Sequence, residues 1–194
     1  FSLLKYLIMD RKYDERERAF LQRELRPGDT VVDIGANIGF YTLWFATSGV
    51  PNIHILAIEP NPEMHRALKD NIQINDLQNV DTAMVAIGDR EAVALLNFSE
   101  KYPGSGSLLG TESKQIEVRL TTLSSLLEEY KLTRVDVVKI DVEGYEYKAL
   151  IPFLTGRSVA EWPRVFLIEA NDRATGWEGD LIGFIENAGY EIAL

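Results

Sequence analysis

VVDIGANIGFYT, residues 31–42, joins a β-branched apolar run to two glycines separated by three residues. A short, wholly apolar run of this kind reads as a buried parallel strand. Glycines in the turn after it let the backbone approach a small molecule closely. IGFYTLWFATSG (38–49) then reads as a helix, stopped by Gly49 and Pro51.

The same rhythm extends in both directions. YDERERAFLQRELR (13–26) places Phe20, Leu21 and Leu25 on one face, predicting an amphipathic helix that RPGD (26–29) ends. HILAIEP (54–60) reads as a second strand. NPEMHRALKDNIQIN (61–75) follows as a helix with Pro62 in its first turn. VDTAMVAIGD (80–89) predicts a third strand. AVALLNFS and QIEVRLTTL then look like two strands around the loop YPGSGSLLGTES, where a helix would be due. LSSLLEEYK predicts a short helix, VDVVKID (135–141) a fourth strand and EGYEYKALIPFL a helix. RVFLIEA (164–170) reads as a fifth strand, and DLIGFIENAGY (180–190) as a helix before a last strand in YEIAL. The expectation is an α/β fold: a mostly parallel central sheet, helices on both faces, and a β-hairpin-like insertion after strand 3. Ligands of such sheets lie at the carboxyl ends of the strands.

The 194 residues fit a single domain, with residues 1–26 as an N-terminal helical cap and 27–194 as the core. The start at Phe1 and the stop at Leu194 read as those of a trimmed chain, with the C-terminal end truncated. Cysteine is absent, which removes disulfides, thiolate metal sites and cysteine nucleophiles and fits a reducing, cytoplasmic location. Twenty basic against thirty acidic residues give a net charge of −10, which argues against a nucleic-acid partner. No apolar run approaches the roughly 20 residues that span a bilayer, so no membrane partner is expected.

The glycine turn alone leaves a nucleotide site and a mere packing turn about even. Its spacing, Asp33-x-Gly35-x-x-x-Gly39, differs from the G-x-G-x-x-G of dinucleotide sites, because Asn37 stands near the middle glycine's place. A carboxylate at Asp33 is poor company for a pyrophosphate but suits a cationic ligand. Glu59, twenty residues after Gly39, ends the second strand, where an acid can accept hydrogen bonds from both hydroxyls of an adenosine ribose. An adenosine with a positive charge and an amino-acid tail describes S-adenosyl-L-methionine. Methyl transfer is therefore preferred over the hydride transfer of a nicotinamide-dependent oxidoreductase.

VVDIGANIGFYT, AIEPNP, AIGD and VVKIDVEGYEYKAL, in that order, resemble the FkbM-type family of class I S-adenosylmethionine-dependent methyltransferases over roughly residues 27–170. The resemblance implies the Rossmann-like class I methyltransferase fold with a seven-stranded sheet, whose final reversed strand has no room here. It also implies O-methylation of hydroxyls on natural products or sugars, and an insertion like that at 92–120. Carried over by position, Asp33, Gly35, Asn37 and Gly39 would line the methionine end of the cofactor. Glu59 would hold the ribose, with Pro60 and Asn61 flanking the adenosine. Gly88 and Asp89 would sit beside the adenine, and Asp141 would face the cofactor's amino group or the acceptor.

Methyl transfer is an in-line displacement, and an alcohol acceptor must also lose a proton. His54, at the wrong end of a strand, and His65, within a helix, read as structural. Lys139, Asp141, Glu143, Glu169, Asn171 and Asp172 remain at strand ends, with Asp141, Lys139 and Glu143 as the catalytic candidates. Glu143 reads equally well as an acid in the first turn of the next helix. Asp141 with IEAND could form an all-oxygen Mg²⁺ site, although a metal-free reaction is the preferred reading. KIDVEG lacks the Asn/Asp-Pro-Pro-aromatic turn of base amino-methylation, and a cysteine for cytosine C5 chemistry is missing. A small-molecule hydroxyl acceptor remains first, with an amine or carboxylate acceptor next and a non-catalytic binding module as a further alternative. YPGSGSLLGTES, and the segment with Tyr6 and Tyr13, read as elements that could close over the site.

Overall fold

The computed structural model describes residues 14–98, 106–108, 114–168 and 179–193. Helix α1, Glu15–Glu24, precedes β1, Thr30–Ile34. After β1 come α2 (Phe40–Ala46), β2 (His54–Ile58), α3 (Pro62–Ile74) and β3 (Val80–Ala83). Strands β4 (Ala86–Ile87), β5 (Ala92–Phe98) and β6 (Lys114–Thr121) follow. Then come α4 (Leu123–Glu129), β7 (Val137–Ile140), α5 (Glu146–Thr155), a 3₁₀ turn (Val159–Glu161), β8 (Val165–Ile168) and α6 (Leu181–Asn187).

The main sheet has the order β3-β2-β1-β7-β8 and is parallel at every pairing. Side chains alternate across it, so each strand feeds two cores. Val32, Ile34, Leu56, Ile58, Val138 and Ile140 pack against α4, α5 and α6. Val31, Ile55 and Val137 face Leu21 of α1 and Tyr41 and Phe45 of α2. Asp33 and Lys139 are Cα partners in the β1–β7 register, on this second face. The order reverses between β1 and β7, which opens a crevice at their carboxyl ends.

Local chemistry fixes the helix starts. Asn61 caps α3 by accepting from the amides of Glu63 (2.9 Å) and Met64 (3.5 Å), with Pro62 as the first helical residue. Thr122 caps α4 through the Ser125 amide at 3.1 Å.

Two expectations are corrected. The run 80–89 is not one strand: Val80–Ala83 pairs with β2, whereas Ala86–Ile87 joins a second sheet of order β4-β6-β5. Met84 turns out to solvent and Val85 into the core, and the chain changes sheets there. The expected last strand is absent among the described residues, since Tyr190–Ala193 pairs with nothing. Tyr190 is instead tied sideways, its hydroxyl donating to the Pro163 carbonyl at 2.6 Å and its ring against Phe166. The insertion is the expected hairpin: β5 and β6 pair antiparallel from Ala92↔Leu120 to Phe98↔Lys114. Most of YPGSGSLLGTES, the 1–13 segment and 169–178 fall outside the described residues.

Candidate active site

A cavity opens where β1, β2 and β7 end. Gly35, Asn37, Glu59 and Asp141 line it, with Val142, Glu143 and Tyr145 along one side. Ile58, Val85, Ile87, Leu96 and Leu108 form its apolar walls, the last two supplied by the hairpin insertion. Ser107 ties that insertion to the site, donating from Oγ to the Glu143 carbonyl at 3.1 Å.

Gly35 and Gly39 both sit at positive φ, 78° and 97°. The space freed by Gly35 is taken by protein: a Cβ there would stand 1.9 Å from the Asp141 carbonyl oxygen. A Cβ at Gly39 would meet Leu68 Cδ1 at 2.6 Å, so this glycine seats α2 against α3. Asn37, between them at φ 53°, donates its amide to Glu59 Oε2 at 2.8 Å. The Asn61 amide donates to Glu59 Oε1, also at 2.8 Å. Glu59, only 7% exposed, thus clamps the glycine turn to the start of α3 with both oxygens, and each oxygen keeps a further lone pair. Burial pushes its carboxyl up to about 7, against the pull of these two amides.

Asp33 is placed differently from Glu59. It is 0% exposed and points beneath α2, where it accepts from the Thr42 hydroxyl at 2.6 Å. Its other oxygen has no hydrogen-bond partner and lies 3.7 Å from Lys139 Nζ. Burial raises the Asp33 carboxyl above its ordinary value, opposed by Lys139 and Thr42. Lys139, 6% exposed, reaches from Asp33 to Asp141 Oδ2 at 3.6 Å and donates to the Gly35 carbonyl at 3.3 Å. The Tyr41 ring packs 5.5 Å from the same ammonium. Lys139 is therefore a cation held behind the cavity wall, while Asp141, 34% exposed at its side chain, reaches the cavity itself.

The other anticipated residues divide. Pro60 lines the cavity with Glu59, and Asn61 sits buried beside it as the α3 cap. Gly88 lies beyond the wall, packed against Leu120 and Tyr145, and Asp89 pairs with Arg90 at the surface. Glu143 is exposed at φ 53° on the turn after β7. Organising that turn falls to Glu146, whose Oε1 accepts from the amides of Val142 (3.0 Å) and Gly144 (3.3 Å). Glu146 and Tyr145 were missed from sequence. The signal for Glu146 was its place in the first turn of α5, where an acid suits both the helix dipole and free amides. His54 pairs with Asp81 at the amino end of β2, and His65 lies on α3, both away from the cavity. Among the described residues no three His, Asp or Glu side chains converge as metal ligands. Glu169, Asn171 and Asp172 lie outside the described residues.

These residues fit an adenosine-type cofactor. Glu59 offers spare acceptor capacity at a strand end, next to the apolar walls of Ile58, Val85 and Ile87. The cavity measures about 70 Å³ and is open to solvent on one side.

Known proteins agree with this architecture. The chain is 27% identical over 210 residues to the 31-O-demethyl-FK506 methyltransferase FkbM of Streptomyces tacrolimicus, covering 91% of this chain and 78% of that one. It is 28% identical over 152 residues to the methyltransferase sdnD of Sordaria araneosa, covering 62% of this chain and 58% of the relative. Among solved structures, the precorrin-6y C5,15-methyltransferase of Geobacter metallireducens superposes with a TM-score of 0.52 at 18% identity, over 90% of this chain and 71% of the other. An rRNA methylase of Streptococcus thermophilus gives 0.51 at 10% identity, over 91% and 78%. At such identities the two structures speak for the fold alone. The sequence profile described as "Methyltransferase FkbM domain" matches residues 33–192, and the chain belongs to that family.

Proposed function

We propose that the chain transfers a methyl group from S-adenosyl-L-methionine to a hydroxyl of a small molecule, a sugar or another natural product. The observation that carries this reading is Glu59: a buried carboxylate, fixed by two backbone amides at the end of β2, with lone pairs left for two ribose hydroxyls. The 31-O-demethyl-FK506 methyltransferase among the relatives supports an oxygen acceptor.

When bound, the cofactor supplies an electrophilic methyl group on sulfur, whose bonding pair leaves with the thioether. The chain's own part begins with position. Glu59 sets the ribose and the glycine turn the methionine end, and positioning alone supplies much of the acceleration in a displacement of this type. Asp141, half-buried at the end of β7, lines the cavity and can accept the proton that the acceptor hydroxyl gives up. Lys139 Nζ stands 3.6 Å behind Asp141 Oδ2 and helps to hold that carboxylate in place. The apolar walls of Leu96 and Leu108 exclude water on the side of the hairpin.

Isothermal titration with S-adenosylhomocysteine tests the proposal. Binding should be micromolar in the wild type and at least about tenfold weaker in Glu59→Ala, with both proteins shown folded by circular dichroism. A folded wild type that does not bind would overturn it.

A further inference from the structure

Four arginines gather at the opposite end of the sheet, where no step of the methyl transfer takes place. Arg26, Arg134, Arg157 and Arg164 line a depression of about 420 Å³ beside the amino ends of β7 and β8. Trp162 and Phe153 contribute to its floor. The chain as a whole carries a net charge of −10, so a cationic bowl here is a local exception.

The neighbouring carboxylates are already spent. Asp136, buried, accepts from the Thr30 amide at 2.9 Å, and its Oδ1 alone meets two guanidiniums, those of Arg134 and Arg164. Asp29 accepts from the Arg26 amide at 2.8 Å and from Arg164 at 2.7 Å. Glu161 turns back to Ser158, taking its amide at 3.1 Å and its hydroxyl at 2.6 Å. Guanidinium capacity is left over. Arg164 is not its source: its two Nη atoms are given to Asp29, Asp136 and the Glu24 carbonyl, and its Nε is sealed from solvent, so the open donors belong to its neighbours. Arg157 is oriented by Ser124 (2.8 Å), the Phe153 carbonyl (3.4 Å) and its stacking on the Phe153 ring (4.2 Å), which engage only one of its nitrogens. The Arg26 guanidinium has no partner among the described residues.

Two guanidiniums sharing one carboxylate oxygen, with Arg157 held beside them and the exposed Arg26 in the same lining, is an arrangement that a second anion would complete. Planar forks with parallel N–H donors match phosphate oxygens in pairs, which a point-charge ammonium does not do. We propose that this bowl binds the phosphate or pyrophosphate group of a small molecule, at a site separate from the methyl-transfer cavity. The proposal does not depend on the methyl acceptor or the donor.

Thermal melts with inorganic pyrophosphate, run against sodium chloride of equal ionic strength, provide the test. The wild type should gain stability saturably with pyrophosphate and not with chloride. The double variant Arg26→Ala, Arg134→Ala should need at least about tenfold more pyrophosphate for the same gain, with its unliganded melting point and circular dichroism close to wild type. If the double variant melts early, Arg26→Glu, at an exposed side chain, repeats the comparison. Equal responses in wild type and variant, or a response matched by chloride, would overturn the proposal and leave the arginines as ties for the strand starts.

Discussion

A carboxylate buried as deeply as that of Glu59 resists ionisation, yet a ribose diol needs its anion as acceptor. With the group pushed up to about 7, a ligand that requires the anion must expel a proton at lower pH. Affinity for S-adenosylhomocysteine should therefore fall about tenfold between about pH 8 and about pH 6, and the fall should flatten in Glu59→Gln, as read by titration calorimetry. Gly35 makes a different kind of demand. Its φ of 78° and the Asp141 carbonyl oxygen, 1.9 Å from where a Cβ would stand, leave no place for a methyl group. Gly35→Ala should cost about 2–4 kcal/mol in a urea melt and weaken donor binding as well. Some of this was legible in the sequence. Glu59 could be found by counting from the glycine turn, because strand and helix lengths fix that distance. The partners of Asp33 could not, since they depend on the β1–β7 register that places Lys139 beside it and on the face that α2 covers.

At the scale of elements, periodicity revealed the strands and helices whose own residues specify them. Thr30–Ile34, His54–Ile58 and Pro62–Ile74 all fall within the expected runs. VDTAMVAIGD failed as a single strand because its break is tertiary: nothing local separates Ala83 from Ala86 except the availability of β6 as a second partner. The start of α3 has a local cause that can be tested. Asn61→Ala should cost about 1 kcal/mol through loss of the cap, and Asn61→Asp should retain most of it, by denaturant unfolding. Because the Asn61 amide also holds Glu59 Oε1, the same pair of variants reports whether fraying of α3 reaches the donor site.

Across the whole molecule, two carboxyls with raised proton affinity lie along the carboxyl end of one sheet. Glu59 ordinarily titrates at 4.5, so between there and about 7 the folded chain binds more protons than the unfolded one. Stability conferred by the protonated form is then lost as pH rises, by up to about 3 kcal/mol for Glu59, and Asp33 shifts in the same direction. The melting temperature should decline between about pH 5 and about pH 7 more steeply in wild type than in Glu59→Gln. On the proposed function, chemistry and stability pull apart at this end of the sheet: the anion that would accept from the ribose is the form that burial disfavours. Saturating S-adenosylhomocysteine should offset the decline.

The contact between Gly35 and the Asp141 carbonyl has one further consequence. It sets the glycine turn after β1 directly against the turn after β7, with no side chain between them to act as a cushion. Redesign of KIDVEG toward a new acceptor cannot be confined to that side, because any backbone shift there is passed directly to the glycine turn. On the proposed function, a change of acceptor at one turn would call for an answering change at the other.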